Sequence, residues 1–202
     1  MMCVLLLSSL VSMAACNHTA NKTNMDSTKG KKVLVAYFSR TGENYSVGHI
    51  TKGNTAIVAE MIAGEMNADL FEIVPQKAYP DNYEACTEVA KREKEVDARP
   101  TIKAGKSIAD YDVIFIGYPI WWDDAPMPVY TWIEQNKWQG KTVIPFCTHE
   151  GSGLSGTPSL IQSACQGAVM SNGLAVYGHV AQRSPEKALE SIRKWIGALQ
   201  MN

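Results

Sequence analysis

The chain has 202 residues, 46% of them hydrophobic and 19% charged, with a formal net charge of −1 at pH 7. That supplies one α/β domain with its own core, and it excludes a disordered or fibrous chain. With charge near zero and no basic run, nothing supports an electrostatic nucleic-acid binder.

The N-terminus reads as a separate segment. Residues 4–13 (VLLLSSLVSM) are an apolar run too short to span a bilayer, followed by Ala14, Ala15 and Cys16. This is the outline of a secretory signal, although no Lys or Arg precedes the run. Met13-Ala14-Ala15-Cys16 also resembles the lipobox of bacterial lipoproteins, in which the cysteine carries the lipid. The expectation is a signal peptide over 1–16 with a lipid anchor at Cys16, a polar tether over 17–30, and a folded domain over 31–202. The protein would then be exported and held at a membrane, on the periplasmic or outer-membrane face; with a leader that is no signal it would be cytoplasmic. Of five cysteines, Cys86, Cys147 and Cys165 fall in the domain, too irregularly spaced for a disulfide framework or a zinc site.

The domain opens with residues 33–39 (VLVAYFS), rich in β-branched and aromatic types that suit a buried strand. A polar loop containing Ser39, Thr41 and Gly42 follows, and a helix is expected from Thr55, with Ile57, Val58, Met61, Ile62 and Met66 at helical spacing. Residues 69–74 (DLFEIV) suit an edge strand, and residues 83–96 a helix with a charged, solvated face. Residues 112–118 (DVIFIGY) and 142–148 (TVIPFCT) read as buried strands. Between them Asp124 can cap a helix entered through Pro126 and Pro128 and running to about Gln135. A glycine- and serine-rich loop over 149–158, a short helix, a strand over 173–177 and an amphipathic helix over 185–199 complete the chain.

This alternation of strand and helix implies a parallel sheet covered on both faces. In such sheets the ligand lies beyond the carboxyl ends of the strands, where strand order reverses. Three unusual loops, over 39–55, 119–124 and 149–153, all follow apolar strands and fall on that edge. The first offers hydroxyls and the N–H groups of a helix start, which suit a phosphate. Neither the dinucleotide glycine fingerprint nor the Walker sequence is present. The second offers Trp121 and Trp122, able to stack on a flat ring; being consecutive, the two must face different ways. The third has glycines that admit close backbone approach and present N–H groups. One phosphate end and one flat heteroaromatic end describe a mononucleotide, FMN above others.

Tyr37-Phe-Ser-Arg-Thr-Gly42 with Gly53-Asn-Thr55, then Gly117-Tyr-Pro-Ile-Trp-Trp122, then Cys147-Thr-His-Glu-Gly-Ser-Gly153, together resemble the flavodoxin family, in particular its bacterial lipoprotein-like branch. The resemblance covers roughly residue 31 to the C-terminus. It implies a three-layer α/β sandwich with a five-stranded parallel sheet of order 2-1-3-4-5, non-covalent FMN, and electron transfer or flavin-dependent reduction. Carried over by position, Ser39, Arg40, Thr41, Asn54 and Thr55 would hold the phosphate. Pro119, Ile120, Trp121 and Trp122 would line one side of the flavin ring, and Thr148, His149, Glu150, Gly151, Ser152 and Gly153 the other. Two features depart from the pattern. Residues 43–52 are inserted in the phosphate loop, and Asp123-Asp124 follow the tryptophan pair where relatives of this branch often have glycine.

Plainer readings stand beside these. Arg40 could bond phosphate or be a solvated loop charge, and His149 and Glu150 could be proton donors or ordinary loop residues. The expected function is that of an FMN-binding electron carrier serving a redox partner protein. The alternative is an FMN-dependent NAD(P)H reductase of a small quinone-like acceptor, and a lesser one a non-redox binding module. The insertion could wall a substrate beside the flavin, which a reductase would use and a pure carrier does not need.

Overall fold

The computed structural model describes residues 30–199. The signal-like leader, Cys16 and all but the last residue of the tether lie outside the described residues. In chain order the elements are β1 (Val33–Tyr37), β2 (Gly42–Asn44), β3 (Gly48–Ile50), α1 (Asn54–Met66), β4 (Asp69–Glu72) and α2 (Tyr83–Glu95). There follow β5 (Val113–Pro119), α3 (Met127–Glu134), β6 (Thr142–His149), α4 (Thr157–Ala164), β7 (Val169–Met170), β8 (Leu174–Tyr177), α5 (Gly178–Arg183) and α6 (Pro185–Ala198).

The main sheet runs β4-β1-β5-β6, with β7 and β8 both on the far side of β6, and every pairing is parallel. This is the expected 2-1-3-4-5 order, its fifth strand split in two. The split has a cause in the neighbouring strand. Pro145 in the middle of β6 has no N–H to give the ladder. The chain pairs with Thr142 and Val143, steps away, and pairs again from Phe146 to His149. Gly173 crosses at the step, where a Cβ would lie 2.9 Å from the Pro145 carbonyl oxygen.

Alternate residues along each strand feed opposite cores, as the two-residue period of a strand requires. Leu34, Ala36, Ile114 and Ile116 pack with Val129, Trp132 and Ile133 of α3 and Ile161 of α4. Val33, Val35, Val113, Phe115, Ile144 and Phe146 pack with Val58, Ala59 and Ile62 of α1 and with Ile192 and Ile196 of α6. The result is a helix–sheet–helix sandwich. The three described cysteines are buried thiols, and burial pushes Cys147 and Cys165 up to about 12.

Three local details differ from the sequence reading. The inserted residues 43–52 are no irregular loop: β2 and β3 pair antiparallel as a small hairpin. Asp124 does not cap α3, whose N-cap is Pro126. Its buried carboxylate instead accepts from the Tyr130 hydroxyl at 2.6 Å and the Ala125 N–H at 2.7 Å. A short helix, α5, stands between the last strand and the closing helix.

Candidate functional site

The strand order reverses between β1 and β5, and the loops leaving β1, β5 and β6 meet there. They border a cavity of about 300 Å³. Its wall takes Arg40 and Asn54 from the first loop, Pro119, Ile120, Trp121 and Trp122 from the second, and Thr148, His149 and Glu150 from the third.

The first loop is clamped to the start of α1. Ser39 Oγ accepts the Ala56 N–H at 3.0 Å, which gives one of the orphan donors of the helix start a partner and leaves the hydroxyl proton to donate elsewhere. Gly53 lies so close that a Cβ would fall 2.1 Å from Ser39 Oγ and 2.5 Å from the Arg40 carbonyl oxygen. Thr55 is buried and its hydroxyl meets that of Thr148 at 2.7 Å, tying the first turn of α1 to the end of β6. Asn54 Oδ1 accepts from Gln182 Nε2 at 2.9 Å.

Arg40 follows neither expectation. Its guanidinium donates to the carbonyl oxygens of Pro80 and Asp81, each at 2.6 Å, and to that of Glu43. It fastens the hairpin to the turn before α2. Thr41 is exposed, and like Ser39 and Thr55 it forms no part of the cavity wall.

The two tryptophans diverge. Trp121 and Asp124 exchange backbone hydrogen bonds at 2.8 and 3.1 Å around a two-residue turn. Trp122 and Asp123 both have positive φ there, 52° and 62°, as a type I′ turn requires. The Trp121 indole is half-buried, edge-on to Tyr79 at 4.9 Å and to Phe38 at 5.3 Å. The Trp122 indole lies on α2, its Nε1 donating to the Thr87 carbonyl at 3.0 Å, and is 47% exposed. Asp123 accepts from the Ser155 hydroxyl at 3.2 Å, joining the second loop to the third.

In the third loop the glycine N–H groups point inward. Gly151 and Gly153 donate to His149 Nδ1 at 2.9 and 3.0 Å, so the neutral ring keeps its proton on Nε2. Burial holds His149 below the usual histidine range; Glu150 opposes the shift and His179 adds to it. The imidazole rests on Tyr177, ring centroids 4.3 Å apart. Glu150 is committed to α5, taking the His179 N–H at 2.8 Å and facing His179 Nδ1 at 2.7 Å. Gly151, Ser152 and Gly153 are not on the cavity wall.

The sequence reading missed the opposite wall. Asn44 and Tyr45 of the hairpin and Tyr83, Cys86, Thr87 and Ala90 of α2 also border the cavity. The four α2 residues sit at helical i, i+3, i+4, i+7 spacing, a signal that was present in the sequence. Among the described residues no cluster of three or more His, Cys, Asp or Glu could hold a metal ion.

Fold and site together define a doubly wound α/β protein with its ligand cavity at the topological switch point. A flavodoxin family model matches residues 32–196, and the chain belongs to that family. It is similar to two solved structures of proteins proposed to be flavoproteins. One, from Bacteroides eggerthii, is 33% identical with TM-score 0.62, the match covering 83% of this chain and 99% of that one. The other, from Bacteroides uniformis, is 32% identical with TM-score 0.64, covering 83% and 98%. A flavoprotein from Lactobacillus acidophilus, solved in complex with FMN, shares the fold at 22% identity and TM-score 0.58, covering 76% and 99%. No curated protein matches the chain.

Proposed function

We propose that the protein binds FMN at this cavity and serves as a redox flavoprotein, passing electrons between a donor and an acceptor. The observation that carries the reading is the meeting, at one sheet edge, of a helix start built for an anion with an aromatic loop and a glycine-rich loop. Family membership and the FMN complex of the Lactobacillus relative support it. The residues fit the cofactor. Asn54, on the cavity wall, would bind the phosphate with its amide and the first N–H groups of α1, with the Ser39 hydroxyl beside them. The buried Thr55 hydroxyl braces the helix start against Thr148. Residues 119–122 and 148–150 would flank the ring, the two loops joined by the Ile120 N–H donating to the Thr148 carbonyl at 2.9 Å. On this reading the Arg40 guanidinium, bonded to three carbonyls, keeps the hairpin in place instead of holding phosphate. FMN, when bound, supplies one- and two-electron chemistry, and the chain supplies binding, orientation and the charge around it. Asp124, the carboxylate buried nearby, stands 4.0 Å from Lys94 Nζ, which offsets its charge.

Two acceptors fit this reading: a partner protein, or a small quinone-like molecule with NAD(P)H as donor. The second is favoured by the hairpin, which forms a fixed wall that a bare electron carrier does not need. The absorbance spectrum of the purified protein, before and after adding FMN and then NADPH without oxygen, tests the reading. A yellow protein with quenched flavin fluorescence is expected. Bleaching by NADPH assigns the reductase, and a flavin that stays oxidised assigns the carrier. A protein that ignores FMN rejects both and leaves a binding module.

A further inference from the structure

The part of the cavity bordered by the hairpin and α2 has no role in the cofactor reading. It is lined by Tyr45 of the hairpin and by Tyr83, Cys86, Thr87 and Ala90 of α2, and it meets the flavin-flanking loop at Trp122. Tyr45 is 64% exposed, Tyr83 38% and Trp122 47%, so three large aromatic rings face one opening instead of the core. Clustered exposed aromatics of this kind mark a ligand or partner site more often than chance. The two tyrosine rings lie 6.1 Å apart, tilted by 32°, as one near-continuous aromatic wall.

The wall is built, not loose. Glu43 Oε2 accepts from Asn82 Nδ2 at 2.9 Å and from the Tyr83 N–H at 3.1 Å, so the hairpin holds the N-terminus of α2. The Glu43 N–H donates to the Asp81 carbonyl at 3.0 Å, and Arg40 bonds the carbonyls of Glu43, Pro80 and Asp81. Gly42 has φ +82°, and a Cβ there would lie 2.2 Å from Asp81 Oδ1, so the hairpin base and the 80–82 turn are in contact. A wall fixed before the ligand arrives costs little ordering entropy when it binds.

The chemistry of the compartment selects its ligand. Arg40 is its bordering cation, and that guanidinium is already committed to carbonyl oxygens. Glu150, the bordering carboxylate, is paired with His179. On the lining itself no Lys or Arg is left to pair a phosphate or a carboxylate, and the nearby Lys91 ammonium lies over the Trp122 ring at 5.5 Å. The Tyr45 and Tyr83 hydroxyls bond to no described residue and can donate. Burial holds Tyr83 above the usual phenol range, which keeps its proton in place.

We infer that this compartment binds a flat, uncharged aromatic dicarbonyl, the quinone class, stacked on Tyr45 and Tyr83 with their hydroxyls donating to its carbonyl oxygens. The inference rests on the redox reading for the purpose of the site, but not for the binding itself. The probe is 2-methyl-1,4-naphthoquinone, followed by equilibrium dialysis against the purified protein with and without FMN. Saturable binding to the FMN-loaded protein is expected. The Tyr45→Ala/Tyr83→Ala double variant should weaken it about tenfold, as the loss of two aromatic contacts and two donors implies. The Tyr45→Phe/Tyr83→Phe variant should lose less, because the stacking survives. FMN affinity should change less than about twofold in all of these. Non-saturable uptake, or no loss in the double alanine variant, overturns the inference. So does a parallel fall in FMN affinity, which would give the tyrosines to the cofactor. Quinone binding that depends on the tyrosines in a protein that takes no FMN would keep the inference and reject the redox reading.

Discussion

The residue on which the third loop turns is His149. Its Nδ1 accepts two backbone N–H groups, from Gly151 and Gly153, whose φ values of +134° and +61° suit glycine. Protonating Nδ1 would put a third hydrogen where two donors already point, and the loop would have to open. Burial, as the main cause, holds the group below its ordinary value of 6.5. As pH falls, the unfolded chain therefore takes up this proton before the native protein does. The stability that His149 contributes is fully present above about pH 6.5 and is lost as pH falls below it, with a slope of at most about 1.4 kcal/mol per pH unit. Thermal midpoints between pH 8 and pH 5 should fall below pH 6.5 in the native protein. In His149→Asn the side-chain carbonyl can accept the same N–H groups without titrating, and the midpoints should be flatter. Equal pH profiles for the two proteins would refute this role.

At the scale of elements, the hairpin and α2 act as one unit with Arg40 as its fastener. Removing the guanidinium leaves the carbonyls of Glu43, Pro80 and Asp81 to solvent and frees β2 and β3, which are too short to stand alone. Arg40→Ala should raise amide hydrogen exchange at least about tenfold over residues 42–50 and 80–83, local opening being the route of exchange for such weakly packed segments. FMN affinity should hardly move. The reverse result, a large loss of FMN affinity with unchanged exchange, would return Arg40 to the phosphate. The same elements show what a sequence can reveal. Strands β1, β5 and β6 and helices α1 and α6 announce themselves because burial on one or both faces imposes a local pattern of apolar residues. The hairpin strands Gly42–Asn44 and Gly48–Ile50 carry no such pattern; they exist through bonds to residues some forty positions away. The split of the last strand is likewise invisible in its own residues, since its cause, Pro145, lies on the neighbouring strand. In the site, the three loops were legible from where their strands end, but side-chain direction was not. Arg40 turns to carbonyls and the glycine N–H groups turn to His149, both choices made by tertiary neighbours. On α2 the run of charged residues hid the cavity-facing stripe from Tyr83 to Ala90.

The whole molecule closes without its ligand. One core lies on each face of the sheet, and neither uses the cavity wall as its main filling. Among the described residues no buried side-chain nitrogen or oxygen lacks a hydrogen-bond partner. A protein whose polar groups are already satisfied needs no cofactor to fold, so FMN should act by mass action on a preformed native state. The flavin-free protein should keep a cooperative thermal transition and native far-UV circular dichroism. Adding FMN to a hundred times its dissociation constant should then stabilise it by about 2.7 kcal/mol, which for a domain of this size is an upward shift of roughly 5–11 °C. The shift should grow with the logarithm of free FMN concentration instead of saturating. A flavin-free protein without a cooperative transition would make the cofactor part of the core, contrary to the two closed clusters. A midpoint indifferent to FMN would remove the cofactor from the native state altogether. Because folding and loading are separable on this argument, the chain could acquire its flavin in whichever compartment it finally occupies.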